Sequence, residues 1–331
     1  MSLFAVPCFC NYSVVRLEKI FFDFLKGVIF VMIKSRRLLP GDRIGIVSPC
    51  FALESSRRED IEGALFSMGF RAVFGKNAFR TTDGYAASEQ ERAEDFNAMA
   101  RDPDIRMILF SGGEVGNEIL PRMDYAALSR DPKLICSYSD GTNILNAAVS
   151  CSGVPAYYGQ DWYSLLVSEE NREIFREAFC SGAPPLFRRS AEWHILRHGK
   201  AKGILIGGYL ANFALMVGSR YFRFSAGQKH LLFLEDHVSF TSPPAFSRYL
   251  SHIAQSDFFQ TVSGVLVGHY DTVPSPELDA VLARFAESFG RPVARCEDFG
   301  HGVHQGILPL GLPAVLDTEA ERLVFSEAFT R

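Results

Sequence analysis

A chain of 331 residues, 47% of them hydrophobic, can bury a large core and is expected to divide into two domains. Its net charge of -4 gives no reason to expect nucleic acid or an anionic membrane as a partner. The seven cysteines are odd in number, scattered and without a Cys-x-x-Cys pair. That pattern points to reduced, buried thiols in a cytoplasm rather than to a disulfide framework or a zinc site.

Residues 1–31 are rich in phenylalanine and stand outside the pattern that follows. Arg16, Glu18, Lys19, Asp23 and Lys26 interrupt every window of about 18 to 20 residues, which argues against a membrane span. A basic start and an uninterrupted apolar core, the marks of a secretory signal, are also missing. A native start at Met32 accounts for this leader; the alternative is an amphipathic helix over 14–31 that packs on the body or on a partner.

From Leu38 the chain becomes regular. Strands are predicted at 43–47, 71–74, 106–110, 133–136 and 156–158, and helices at 58–68, 86–100 and 142–150. Strands alternating with helices at this spacing indicate a doubly wound, mainly parallel sheet, with ligands beyond the C-terminal strand ends. At one such end the apolar run Met107 to Phe110 breaks into Gly112-Gly113 and restarts as a helix-like segment after Gly116. A strand–turn–helix of this kind gathers backbone N–H groups around one point, which suits an anion or an oxyanion. In strand–elbow–helix hydrolases the same shape carries the nucleophile. Here the apex residues are Val115, Gly116 and Asn117, and none is a nucleophile.

A polar connection near 181–191 leads to a second unit with strands predicted at 193–197, 201–206, 231–234, 262–267 and 292–295. Helices are expected at 209–217, 244–253 and 276–289. Glu235-Asp236 ends a buried strand, and His301 lies between two glycines, where an imidazole can be exposed and oriented. A strand-end carboxylate is more often an exposed cap, and a loop histidine more often faces solvent. His301, His304 and a carboxylate do not have an established ligand spacing, so no metal is expected. Tyr158 and Trp162, after a strand end, are candidates to line a cleft.

In this order the blocks resemble the LD-carboxypeptidases and their microcin-immunity relatives, a family of serine peptidases, over residues 38–325. Leu39-Pro-Gly-Asp-Arg-Ile-Gly-Ile-Val-Ser-Pro49 resembles its opening. Gly112-Gly113-x-x-x-Asn117-x-x-Leu120-Pro121-x-x-Asp124-Tyr125 resembles its nucleophile block, and Tyr138-Ser139-Asp140-x-Thr142 the block after it. Gly203-x-x-x-Gly207-Gly208-x-Leu210, Phe233-Leu234-Glu235-Asp236, Gly300-His301 and Leu308-Pro309-Leu310-Gly311 are similar to its later blocks.

The resemblance implies a Rossmann-like N-terminal domain over 38–180 and a smaller mixed α/β domain over 192–325, with a Ser–Glu–His set across the cleft between them. It further implies no cofactor, a cytoplasmic homodimer, and as ligand a murein L,D-peptide or a peptide–nucleotide conjugate. Carried over, His301 is the general base and Glu235 its orienting carboxylate, while the N–H groups of Gly113 and Asn117 serve as oxyanion donors. The family's serine stands immediately before the asparagine, and here that position is Gly116. Glycine has no atom that can attack a carbonyl, which closes the acyl-enzyme route. What remains is an impaired peptidase, a binding or sequestering protein using the same cleft, or hydrolysis by a water that His301 and Glu235 activate. A dinucleotide-binding protein ranks last, because no G-x-G-x-x-G fingerprint is present.

Overall fold

The computed structural model describes residues 32–82, 84–111 and 116–331. The leader 1–31, including the alternative helix over 14–31, and the turn residues 112–115 lie outside the described residues. Two sheets with flanking helices make up the body.

The first sheet holds β1 (Arg43–Val47), β2 (Arg71–Phe74), β3 (Ile105–Phe110), β4 (Leu134–Ser137), β5 (Ala156–Tyr158) and β11 (Leu308–Leu310). Their order is β11-β5-β4-β3-β1-β2, parallel throughout except for β11, which runs antiparallel to β5. β3 and β4 read as near-continuous apolar runs because helices cover both faces. The order reverses between β1 and β3, so a crevice opens beyond the C-terminal ends of those two strands. Cys50 follows one and the Gly116 turn follows the other.

The second sheet is mixed: β13 (Arg322–Phe325), β12 (Pro313–Asp317), β7 (Lys200–Tyr209), β8 (His230–Glu235), β9 (Val262–Val267), β10 (Val293–Arg295) and β6 (His194–Arg197). β7, β8, β9 and β10 are parallel, and the outer strands close the sheet antiparallel. Both sheets agree with the predicted doubly wound, mainly parallel unit followed by a mixed α/β unit. Among the described residues no helix is long and apolar enough to cross a membrane.

Several elements differ from the sequence reading. The segment after Gly116 is a 3₁₀ turn, Gly116–Arg122, with Pro121 inside it; a proline there cannot donate an α-helical hydrogen bond. Helices Trp162–Val167 and Glu169–Cys180 were not predicted, although Ile174, Phe175, Ala178 and Phe179 put one apolar face of the second into the core. No strand is predicted at Leu308–Leu310, yet the segment is one, with Pro309 tolerated because β11 is at the sheet edge.

The helix Thr142–Ser152 locks the two units together. Asn146 Nδ2 donates to the Gly207 carbonyl at 2.9 Å, and the buried Thr142 hydroxyl accepts from Tyr209 N–H at 2.8 Å while donating to the Ser139 carbonyl at 2.6 Å. Thr142→Val keeps the shape but leaves the Tyr209 N–H buried without a partner. It is expected to lower unfolding stability by about 1–3 kcal/mol, read from the urea midpoint at unchanged slope. A midpoint equal to that of the wild type would show that the bond carries no net stability.

Candidate active site

Glu235 is the last residue of β8 and is fully buried. A carboxylate without water is costly unless hydrogen-bonded, and here two partners meet it. His301 Nδ1 lies 2.9 Å from Oε2 and 3.1 Å from Oε1, and the Tyr158 hydroxyl donates to Oε1. Tyr158 O in turn accepts the Ser139 N–H at 2.9 Å. Ser139 has φ +53°, an uncommon conformation for a residue with a side chain, at the sharp turn between β4 and the next helix. Gly300 allows the carboxylate to approach. Its φ is +99°, and an added Cβ would stand 2.8 Å from Glu235 Oε2.

The loop that carries His301 is anchored at Asp298. Asp298 accepts from Trp193 Nε1 at 2.7 Å and from the Ser190 N–H and hydroxyl at 2.6 Å each. Rings then surround the imidazole: Tyr138 at 5.1 Å between centroids, Tyr209 at 5.3 Å, His237 at 5.7 Å and Phe240 at 6.3 Å. With Nδ1–H given to Glu235, the neutral ring has its lone pair at Nε2, the atom a general base uses.

Burial alone would lower the His301 pKa, but the charge and hydrogen bond of Glu235, with Asp236 and Asp140, outweigh it and raise the value above 6.5. Asp236 is pushed up to about 6, mainly by burial, with Thr241, Tyr209 and the His237 N–H pulling the other way. His237 is lowered, first by burial and then by the charges of His301 and His269.

Gly116 is buried at the start of its 3₁₀ turn. A Cβ added there would meet the Asp140 carbonyl oxygen and Cys50 Sγ, each at 2.9 Å, both closer than real Cβ contacts come. Asp140 is also one of the charges that raise the His301 pKa. Cys50 is fully enclosed, and burial drives its thiol pKa far up, leaving it protonated and a poor nucleophile. Cys136 is likewise buried, with its pKa pushed up to about 12 by burial.

Of the other predicted residues, Gly113 lies outside the described residues and Asn117 is exposed on the turn. Tyr158 reaches the dyad directly. Trp162 is buried, edge-on to Tyr163 at 5.7 Å. His304 pairs with Glu170 at 3.2 Å instead of joining His301. Among the described residues no cluster of histidine, cysteine and carboxylate side chains is arranged to hold a metal ion. Tyr209 and His237 were not singled out from the sequence, and Tyr138 and Asp140 appeared there only as members of the Tyr138-Ser139-Asp140-x-Thr142 block. Tyr209 directly follows the Gly207-Gly208 pair and His237 the Glu235-Asp236 pair, and that adjacency to recognised blocks was the available signal.

A doubly wound domain and a mixed α/β domain thus bring a histidine and the carboxylate that orients it to one place. The LD-carboxypeptidase N-terminal domain family matches residues 44–159 and the LD-carboxypeptidase C-terminal domain family residues 202–316, and the chain belongs to the LD-carboxypeptidase family. A protein named as a carboxypeptidase in Treponema pallidum is 27% identical over 85% of this chain and 91% of its own. The microcin C7 self-immunity protein MccF of Escherichia coli is 27% identical over 90% of this chain and 98% of its own. Among solved structures, an MccF-like protein from Bacillus anthracis superposes with TM-score 0.79 at 22% identity, over 88% of this chain and 98% of that one. MccF in complex with aspartyl sulfamoyl adenosine superposes with TM-score 0.74 at 22% identity, over 90% and 100%. At such identities the structural likeness speaks for the fold.

Because the folded pKa of His301 is raised, its pair with Glu235 adds stability that is complete below the unfolded value and fades as pH rises through the folded one. The proton-accepting form is populated above that folded value. In Glu235→Gln burial dominates, so the His301 titration followed by NMR is expected to move below its wild-type midpoint by about one pH unit or more. An unmoved midpoint would show that Glu235 does not set the basicity of His301.

Proposed function

We propose that this chain binds murein L,D-peptides or peptide–nucleotide conjugates in its interdomain cleft, as a carboxypeptidase homologue whose serine acyl-enzyme route is closed at Gly116. The observation that carries the reading is the His301 Nδ1 to Glu235 Oε2 contact of 2.9 Å, taken with the glycine at position 116, where the resemblance to the family puts its serine. In a working member the serine hydroxyl would give its proton to the histidine Nε2 and attack the scissile carbonyl. Here His301 remains able to accept a proton, and nothing at position 116 can donate one.

Of the two outcomes, residual hydrolysis and pure binding, the surroundings of Gly116 favour binding. The Asp140 carbonyl and Cys50 Sγ crowd the place where a side chain would begin, so the turn is adapted to glycine and does not merely lack a hydroxyl. The ligand classes come from the relatives: one is a self-immunity protein against microcin C7, and its structures hold nucleotide analogues such as aspartyl sulfamoyl adenosine. A cytoplasmic location and a homodimer belong to the same reading, and the five described cysteines, all free, fit a reducing compartment.

Wild type, Gly116→Ser and the double variant Cys50→Ala/Gly116→Ser are to be compared on a murein tetrapeptide and on an acyl-adenylate conjugate. The double variant is expected to exceed wild-type turnover at least ~10-fold on one of them, because the restored hydroxyl completes the triad and the smaller residue 50 removes one of two close contacts. Turnover unchanged in both variants on both substrates would show that more than the nucleophile has been lost.

A further inference from the structure

Beyond the dyad, the loop after β8 brings one more imidazole beside His301, and the segment after β9 brings another beside that one. The His237 ring is 5.7 Å from that of His301 and 6.1 Å from that of His269. We propose that His237, supported by His269, is the subsite for the negatively charged group on the departing side of the scissile bond, so that the cleft selects ligands whose leaving fragment is an anion. This rests on the reading that the cleft takes peptides or peptide–nucleotide conjugates.

The placement follows from where the scissile bond of a bound ligand would lie against His301. A triad histidine returns its proton to the leaving nitrogen, which must sit about 3 Å from Nε2. In a peptide with a free C-terminus, the carboxylate is one carbon beyond that nitrogen. In an acyl sulfamate or phosphoramidate, the sulfonyl or phosphoryl group is bonded to it directly. Either way the charged oxygens fall beside His301, at the distance where His237 stands.

The local charges give this anion a reason to seek His237. Glu235, Asp236 and Asp140, which act on His301, are all carboxylates and would repel it. The groups that act on His237 are His301 and His269 on one side and Glu235 and Asp271 on the other. His237 can meet an anion with a donor, because its Nδ1 accepts the Ser239 N–H at 3.2 Å and the neutral ring therefore carries its hydrogen on Nε2. The His269 Nδ1 pairs with the Glu297 carboxylate, which leaves its Nε2 edge unused by this pair. An approaching anion would draw a proton onto His237, whose pKa is held down by burial and by the neighbouring imidazoles.

The subsite is held in place before a ligand arrives. The His237 N–H donates to Asp236 Oδ1 at 2.8 Å, the His237 carbonyl accepts from Phe240 and Thr241, and Val238 N–H donates to the Tyr270 carbonyl at 3.0 Å. That last bond ties the His237 loop to the segment carrying His269. Phe240, 68% exposed and 5.8 Å from the His237 ring, adds an apolar wall for the fragment that bears the charge.

Isothermal calorimetry on the wild-type protein should compare a murein tetrapeptide ending in a free D-alanine with the same peptide as its C-terminal amide, and with aspartyl sulfamoyl adenosine. The free acid is expected to bind about tenfold or more tighter than the amide, the range of one charge-assisted hydrogen bond. It should also take up protons on binding, measured in buffers of different ionisation enthalpy, as the amide does not. His237→Ala should erase both the preference and the proton uptake while leaving amide affinity within about twofold, and His237→Gln, which keeps an N–H donor, should restore part of the preference. Equal affinity for acid and amide in the wild type, or a preference that survives in His237→Ala, overturns the subsite and leaves the cleft reading standing. Absence of binding by all three ligands overturns both.

Discussion

The Glu235 carboxylate sits out of water, and a charge in that position must be met by donors or it destabilises the fold. Its donors come from two other parts of the chain: Tyr158 at the end of β5 in the first sheet, and His301 in the loop beyond β10. The same contacts that orient a base therefore also join the two units. Gly300 is required for the approach, and Asp298, bound by Trp193 and Ser190, keeps the histidine from drifting away. Orientation of His301 is thus a property of the packed interior and does not depend on a bound ligand.

Set against this preserved pair, the 116 turn has the opposite character. His301, its carboxylate and the ring of aromatic neighbours are all in place, while Gly116 is pressed between the Asp140 carbonyl and Cys50. Proton-accepting capacity and ligand recognition do not need a nucleophile, so both can persist if, as proposed, covalent chemistry has stopped. A cleft of this kind can still discriminate by charge and shape, which is the basis of a binding or sequestering role.

Much of this could be read from the residues. The alternation of apolar runs with helical segments gave the parallel sheet, and ordered blocks such as Gly207-Gly208, Glu235-Asp236 and Gly300-His301 led to the dyad. Short-range patterns were less informative where long-range contact decides the outcome. Leu308–Leu310 has no strand period of its own and becomes a strand because Ala156–Tyr158 presents an open edge. Tyr158 looked like a cleft lining; that its hydroxyl reaches a carboxylate 77 residues away depends on the pairing of whole sheets. Cys50 and Gly116 lie at different strand ends, and only the reversal of strand order between β1 and β3 makes them neighbours.

The antiparallel pairing of β11 with β5 bears on how a ligand enters. The chain leaves His301, crosses to the first sheet, pairs Leu308, Pro309 and Leu310 with Tyr158, Tyr157 and Ala156, and returns at Pro313 to pair with β7 of the second sheet. This stretch is a strap stitched to both units within a few residues of the base. A hinge motion that parted the units would have to strip the strap from one sheet and would carry Tyr158 away from Glu235. The spacing of the two units beside Glu235 is accordingly held by covalent connection and strand pairing, whereas Val238 and Phe240 in the loop after β8 stand exposed.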